Sequence, residues 1–231
     1  MRIHVIQHVS FEGPAYLAVW AEKQGYPLTF TRWYQGDSLP AIHAFDALVV
    51  LGGPMGVYDE DKYPWLIAEQ AFLREAIDAG KKVLGICLGA QLLADVLGGQ
   101  VLAGECREIG WFPVYPQGEG TVQALFAPST TAFHWHGDVF TCPPDAQLFL
   151  RSSACPAQGF LYGNQVLGLQ CHLEVTPQSV HALVAHAAED LKHAGSFIQS
   201  KERILSEDPS TYTRLHRVMD KLLQAFLEGE G

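Results

Sequence analysis

Through the first half of the chain, short and almost uninterrupted apolar runs alternate with segments whose apolar residues recur at helical spacing. Residues 2–9 (RIHVIQHV), 28–33 (LTFTRW), 45–51 (FDALVVL) and 81–86 (KKVLGI) predict strands. The last two are nearly continuous in apolar residues, the pattern of a parallel strand covered on both faces. Between them, 14–25 starts at Pro14 and ends at Gly25, with Leu17, Trp20 and Ala21 on one helical face. Residues 64–79 start at Pro64 and are followed by Gly80, and a short helix from Leu88 to Leu97 closes at Gly98-Gly99. Proline at the start and glycine just past the end is ordinary helix punctuation. This alternation predicts an α/β fold, a parallel sheet with helices on both faces.

The second half changes pattern. Residues 109–115, 121–126, 146–151, 159–163 and 165–173 predict short strands separated by Gly/Pro turns, a mixed extension of the sheet. From Thr176-Pro177, an N-cap with proline at the first helical position, the chain turns helical. Val180, Leu183, Val184, Ala187 and Leu191 form one apolar stripe. Residues 209–228 form a second amphipathic helix, with Leu215, Val218, Met219, Leu222 and Leu223 on one face. Repeats, low-complexity tracts and linkers are absent. The expectation is one domain over 1–231, with 176–231 as a helical C-terminal extension.

Composition narrows the function classes. The 231 residues are 48% hydrophobic and 17% charged, enough for a substantial core and unlike a disordered chain. A net charge of -10 with no basic block argues against nucleic acid and against an anionic membrane surface as partners. No apolar run reaches the roughly 20 residues of a membrane span, and MRIHVIQHVSFEGP lacks the charged and apolar regions of a secretory signal. Five cysteines, an odd number without C-x-x-C spacing, point to a reducing cytoplasm and raise the question of a reactive thiol.

Cys87 is the cysteine in a special context. A buried strand runs into it, a helix starts after it, and Gly85 and Gly89 flank it as G-x-C-x-G. This is the nucleophile-elbow pattern with Cys in place of Ser. The tight turn requires small neighbours, the helix N-terminus favours a thiolate, and the Leu88 N–H is free to meet a developing oxyanion. The competing reading, a small core hydrophobe, stands for Cys106, Cys142, Cys155 and Cys171, which lack that context. A base and an orienting group come from GLQCHLEVTP. Strand alternation puts Gln170, His172 and Glu174 on one side and Leu169, Cys171 and Leu173 on the other. His172 is then the base and Glu174 the group that fixes its tautomer. Gly52-Gly53-Pro54, at the C-terminal end of a parallel strand, offers a second oxyanion donor. A rival constellation is a metal site from His134-x-His136 and His172-x-Glu174. It leaves the elbow unexplained.

Together, GGP at 52–54, GICLGAQ at 85–91 and HLE at 172–174 resemble, in order and spacing, a class-I (triad-type) glutamine amidotransferase over roughly residues 1–175. REIGW at 107–111 and HWHGD at 134–138 are most similar to the glutaminase domain of GMP synthase. The resemblance implies a flavodoxin-like three-layer sandwich and a cytoplasmic enzyme without a cofactor or metal. Cys87, His172 and Glu174 would be catalytic, and the Gly53 and Leu88 N–H groups would form the oxyanion hole. Gly52, Gln91, His136 and Asp138 would line the substrate pocket, with Asp138 opposite the α-amino group. The substrate would be glutamine or a γ-glutamyl compound, with a separate synthetase as a possible acceptor subunit. Leu173 stands where the family often has Pro, and no G-x-x-x-x-G-K phosphate loop is present. Two alternatives accompany this reading: a stand-alone γ-glutamyl hydrolase, and a non-catalytic binding protein of the same fold. The acidic loop 55–64 reads equally as a lid or as a solvated turn.

Overall fold

A computed structural model describes residues 1–229 of the chain. In chain order the strands are β1 (Ile3–Gln7), β2 (Leu28–Arg32), β3 (Ala47–Val50), β4 (Lys82–Ile86), β5 (Val101–Pro116), β6 (Thr130–Phe140), β7 (Ala146–Arg151), β8 (Gly159–Tyr162) and β9 (Val166–Leu169). They form one sheet in the order β2-β1-β3-β4-β9-β8-β7-β5-β6. The β2-β1-β3-β4-β9 half is parallel and the remainder antiparallel. The helices are α1 (Tyr16–Gln24), α2 (Trp65–Asp78), α3 (Leu88–Val96), α4 (Thr121–Ala124), α5 (Pro177–His186), α6 (Lys201–Leu205) and α7 (Pro209–Leu223).

The pleat sorts the strand residues into two apolar layers. Ile3, Val5, Ala47 and Val49 join Leu17 and Trp20 of α1 and Leu215, Met219 and Leu222 of α7. Ile6, Leu48 and Val50 join Leu66 and Leu73 of α2 and Leu92 and Leu93 of α3. These are the two helical layers expected for a sheet whose central strands are apolar on both faces. Among the described residues no helix is long and apolar enough to cross a membrane.

Several elements differ from the sequence expectation: β6 and α6 have no counterpart in it, and β5 begins at Val101 rather than at 109. Residues 121–126 hold the helical turn α4 rather than a strand, because Val122, Leu125 and Phe126 recur at helical spacing and bury Phe126 completely. The strand expected over 165–173 ends at Leu169. There β4 turns away into Cys87, and the chain bridges instead to β6, where His172 N donates to Phe133 O at 2.8 Å.

One buried polar group carries a stability prediction. His4, 3% exposed, spends its ring nitrogens on the hydroxyls of Thr29 (2.8 Å) and Thr31 (3.0 Å). Burial lowers its pKa from 6.5 to about 4. Between those values the unfolded chain takes up a proton here and the folded chain does not. Stability therefore falls with decreasing pH, by about 1.4 kcal/mol per unit within that window. Urea midpoints at pH 7 and pH 5 should show a drop that shrinks in His4→Gln. An equal drop in the variant would remove His4 as its source.

Candidate active site

The site lies at the C-terminal ends of the parallel strands, beside the point where the chain order reverses between β1 and β3, the usual ligand position in open α/β sheets. Cys87 joins β4 to α3 with φ 53° and ψ -110°, a conformation rarely adopted outside glycine. Its neighbours explain how the turn closes. A Cβ on Gly85 would sit 2.5 Å from the Gly89 backbone, and one on Gly89 would sit 2.1 Å from the Val50 carbonyl oxygen. The first turn of α3 can rest on β3 and β4 only because both positions lack that atom. Cys87 N donates to Leu169 O at 2.7 Å, and Gln91 N closes the first helical hydrogen bond on Cys87 O.

The thiol faces three groups from the second half of the chain. The Trp135 carbonyl oxygen and Gln170 Nε2 each lie 3.8 Å from Sγ. The third is His172, whose Nδ1 donates to Glu174 Oε1 at 2.6 Å, leaving Nε2 for the sulfur. Burial pulls the His172 imidazole down, but the Glu174 carboxylate and the hydrogen bonds to Cys87 and Glu174 outweigh it and hold the pKa well above 6.5. Gly52 forms the floor between Cys87 and His172: a Cβ there would lie 3.5 Å from both Cys87 Cβ and His172 Cε1. Burial pushes the other four thiols up, Cys155 to about 11.

The Glu174 segment is braced from outside. Tyr16 N donates to Glu174 O at 2.8 Å, and His216 Nε2 of α7 donates to Val175 O at 2.8 Å. The Tyr16 ring stacks on His216 at 3.7 Å and its hydroxyl donates to Asp220 at 2.9 Å.

Gly53 lies against Leu88, since a Cβ on Gly53 would be 3.2 Å from Leu88 Cδ2. Leu88 opens α3, so its N–H has no intrahelical acceptor. Gly53 and Leu88, the residues expected to supply the oxyanion amides, are thus packed against one another.

A cleft of about 520 Å³ opens over Cys87. Gln91, His136 and Asp138 all line it, but much of their polar capacity is engaged internally. Gln91 Nε2 donates to Asp138 O (3.2 Å) and Gln170 Oε1 (3.1 Å). His136 bonds Asp138 O at 3.0 Å and Glu108 Oε2 at 3.2 Å. Asp138 Oδ2 accepts from Tyr58 OH at 2.5 Å, which ties the 55–64 loop to β6 and pushes the phenol up to about 12. On the opposite wall, Asp190 accepts from Arg107 (3.1 Å) and Trp135 Nε1 (3.0 Å).

Among the described residues, the His134, His136, His172 and Glu174 set suggested by residue spacing does not come together as one cluster of ligand atoms. Among the described residues, Glu108, His134 and His136 do bring ligand atoms within 4.8 Å of one another; Glu108 Oε2 accepts from His136 and from Gln158 Nε2 at 2.6 Å, while Glu108 Oε1 and His134 Nδ1 have no hydrogen-bond partner.

Several residues at the site gave no sequence signal. Glu12 lies so close to Gly52 that a Cβ there would be 2.5 Å from its Oε2. Burial raises its carboxyl above the ordinary value against the pull of His172 and His8. His8, Glu69 and Trp33 gather behind the Gly52-Gly53 loop from separate elements. Only the tertiary fold unites them.

The family profile for class-I glutamine amidotransferases matches residues 18–188. The glutamine amidotransferase-like protein YfeJ of Salmonella typhimurium is 37% identical over 201 residues, 84% of each chain. A glutamine-hydrolyzing GMP synthase subunit of Sulfolobus acidocaldarius is 33% identical over 141 residues, 60% of this chain and 72% of its own. A glutamine amidotransferase structure from Methylobacillus flagellatus superposes with a TM-score of 0.93 at 29% identity, covering 99% of this chain and 94% of that one.

Proposed function

Because the chain belongs to the class-I glutamine amidotransferase family, we propose that it hydrolyses the side-chain amide of glutamine, or of a related γ-glutamyl amide, through a thioester on Cys87. The observation that carries this reading is the strained Cys87 elbow facing an imidazole held by Glu174 at 2.6 Å.

Cys87 Sγ attacks the amide carbon and its proton passes to His172 Nε2. The resulting oxyanion is met by the N–H groups of Gly53 and Leu88. As the C–N bond breaks, His172 returns the proton to the leaving nitrogen, and ammonia departs from a γ-glutamyl thioester. Water then attacks the thioester carbon and gives a proton to His172. The C–S bond breaks, glutamate leaves, and the proton returns to sulfur. Glu174 orients His172 and offsets the imidazolium charge in both halves. Gln91, His136 and Asp138 line the amino-acid end, with Asp138 as acceptor for the α-ammonium group, while Gly52 lies at the reacting end between Cys87 and His172. The ammonia serves an acceptor on a separate synthetase chain. Similarity to the Sulfolobus GMP synthase subunit supports that part of the reading.

The size of the cleft favours a second version. About 520 Å³ lies in the range occupied by drug-sized ligands, which leaves room beyond a free glutamine for a larger γ-glutamyl compound. Purified protein given L-glutamine is expected to release glutamate, and His172→Ala to lower kcat/KM by at least about 10³-fold. A higher kcat/KM on γ-glutamyl anilides or dipeptides than on glutamine would favour the second version. An unchanged rate in His172→Ala would remove the mechanism.

A further inference from the structure

The peptide joining Gly52 to Gly53 lies between two residues without side chains, and the fold contains a buried ion pair aimed at it. His8 Nδ1 meets Gly52 O at 2.9 Å. Its Nε2 meets both oxygens of Glu69, at 3.0 and 3.2 Å. A carbonyl and a carboxylate only accept, so both ring nitrogens must donate and the ring is an imidazolium. Neither side chain of the pair reaches solvent. Trp33 Nε1 holds Glu69 Oε2 at 2.8 Å. Trp65 stacks on His8 at 5.6 Å and on Trp33 at 5.3 Å, which suits a ring carrying positive charge. An enclosed ion pair is seldom more stabilising than apolar side chains of the same volume. Its presence behind a catalytic loop calls for a reason other than stability.

We propose that His8, oriented by Glu69 and Trp33, is a positioning residue that clamps the Gly52 carbonyl and thereby aims the Gly53 N–H into the oxyanion hole. This rests on the oxyanion role given to Gly53 above. In a planar trans peptide the C=O and the following N–H point in opposite directions. Fixing the Gly52 oxygen toward His8 therefore fixes the Gly53 N–H on the other side of the same plane. Two glycines in succession leave little steric resistance to a flip. In the flipped state the carbonyl would face the site, and the hole would have one donor fewer. The clamp makes that flip require breaking a charge-assisted hydrogen bond in a buried place.

Two amide replacements separate the halves of the imidazole. In His8→Asn the side-chain NH₂ falls near the position of Nδ1 and keeps a donor for Gly52. In His8→Gln it falls near Nε2 and keeps only the Glu69 side. His8→Gln is expected to lower kcat by about 10²-fold, the scale of losing one oxyanion donor, with little change in KM. His8→Asn should recover at least tenfold of that loss. Glu69→Gln, which keeps the shape and removes the charge, should fall between the wild type and His8→Gln. Equal losses in both His8 variants, or a loss expressed in KM, would overturn the clamp. A crystal structure of His8→Gln gives a readout that does not depend on turnover. A Gly52–Gly53 peptide still oriented as in the wild type would also overturn it. If instead the wild type shows no Cys87-dependent turnover while that peptide reorients, the reaction assignment fails and the clamp stands.

Discussion

Cys87→Ser lowers turnover by about 10⁵-fold or more while the protein remains folded. A loss of that size accompanies removal of the nucleophile from other triads, where residual activity comes from binding and the oxyanion hole alone. The physical reason is specific to sulfur. A thiol ionises far more readily than a serine hydroxyl, so an imidazole placed to take the proton from Cys87 leaves a hydroxyl at that position almost wholly protonated. The side chain is 7% exposed and the replacement is nearly isosteric, so the unfolding midpoint should hardly move. Glutamate release and thermal melts on the same preparation check both parts. Retained turnover would place the nucleophile elsewhere, and a collapsed melt would make the loss uninformative.

Gly89→Ala should destabilise the protein by about 3 kcal/mol or more, the upper end of overpacking penalties. The added methyl would lie 2.1 Å from the Val50 carbonyl oxygen and 2.7 Å from its carbon. Those atoms belong to β3, inside the sheet, and have no rotamer to escape into. The only relief is to lift the start of α3, which also moves the Leu88 amide and Cys87. Gly13→Ala is the control, because its Cβ would meet nothing closer than Gln7 Nε2 at 3.7 Å. It should change stability by less than about 1 kcal/mol. Urea midpoints for the two variants decide the matter, and a Gly89→Ala protein as stable as the control would mean that the elbow is looser than drawn.

The parts of this molecule legible from its sequence are those whose constraints are local. Residues 45–51 and 81–86 announce buried parallel strands because both faces must be apolar. Gly85, Cys87 and Gly89 announce the elbow because the turn excludes Cβ atoms. The antiparallel half is harder to read. The long hairpin of β5 and β6 carries a register shift between Ala103 and Glu108, so its side chains do not keep one alternation. HWHGD gives no sign by itself that it lies within β6. In 121–126 the apolar residues fit strand and helix about equally, and burial of Phe126 decides for a helix. His172 and Glu174 are readable from two-residue alternation even though the strand stops at Leu169 and the chain bends after it, since the single bridge of His172 to Phe133 keeps the two side chains together. The His8, Glu69 and Trp33 assembly has no local signature. Its members are joined across 44 and 61 positions of chain in the two His8 contacts, and nothing near any of them predicts the others.

The contacts of Tyr16 and His216 with the backbone of Glu174 and Val175 couple the triad mechanically to both ends of the fold. The span matched by the family profile, 18–188, contains neither of those residues, nor His8. A fragment trimmed to that span would keep Cys87, His172 and Glu174 yet lose what holds the acid in place. The last long helix is thus a lever on the proposed triad. A protease cut before Pro209, or a fused partner that pulls α7 away, would slacken Glu174 from the far side of the molecule without touching the cleft.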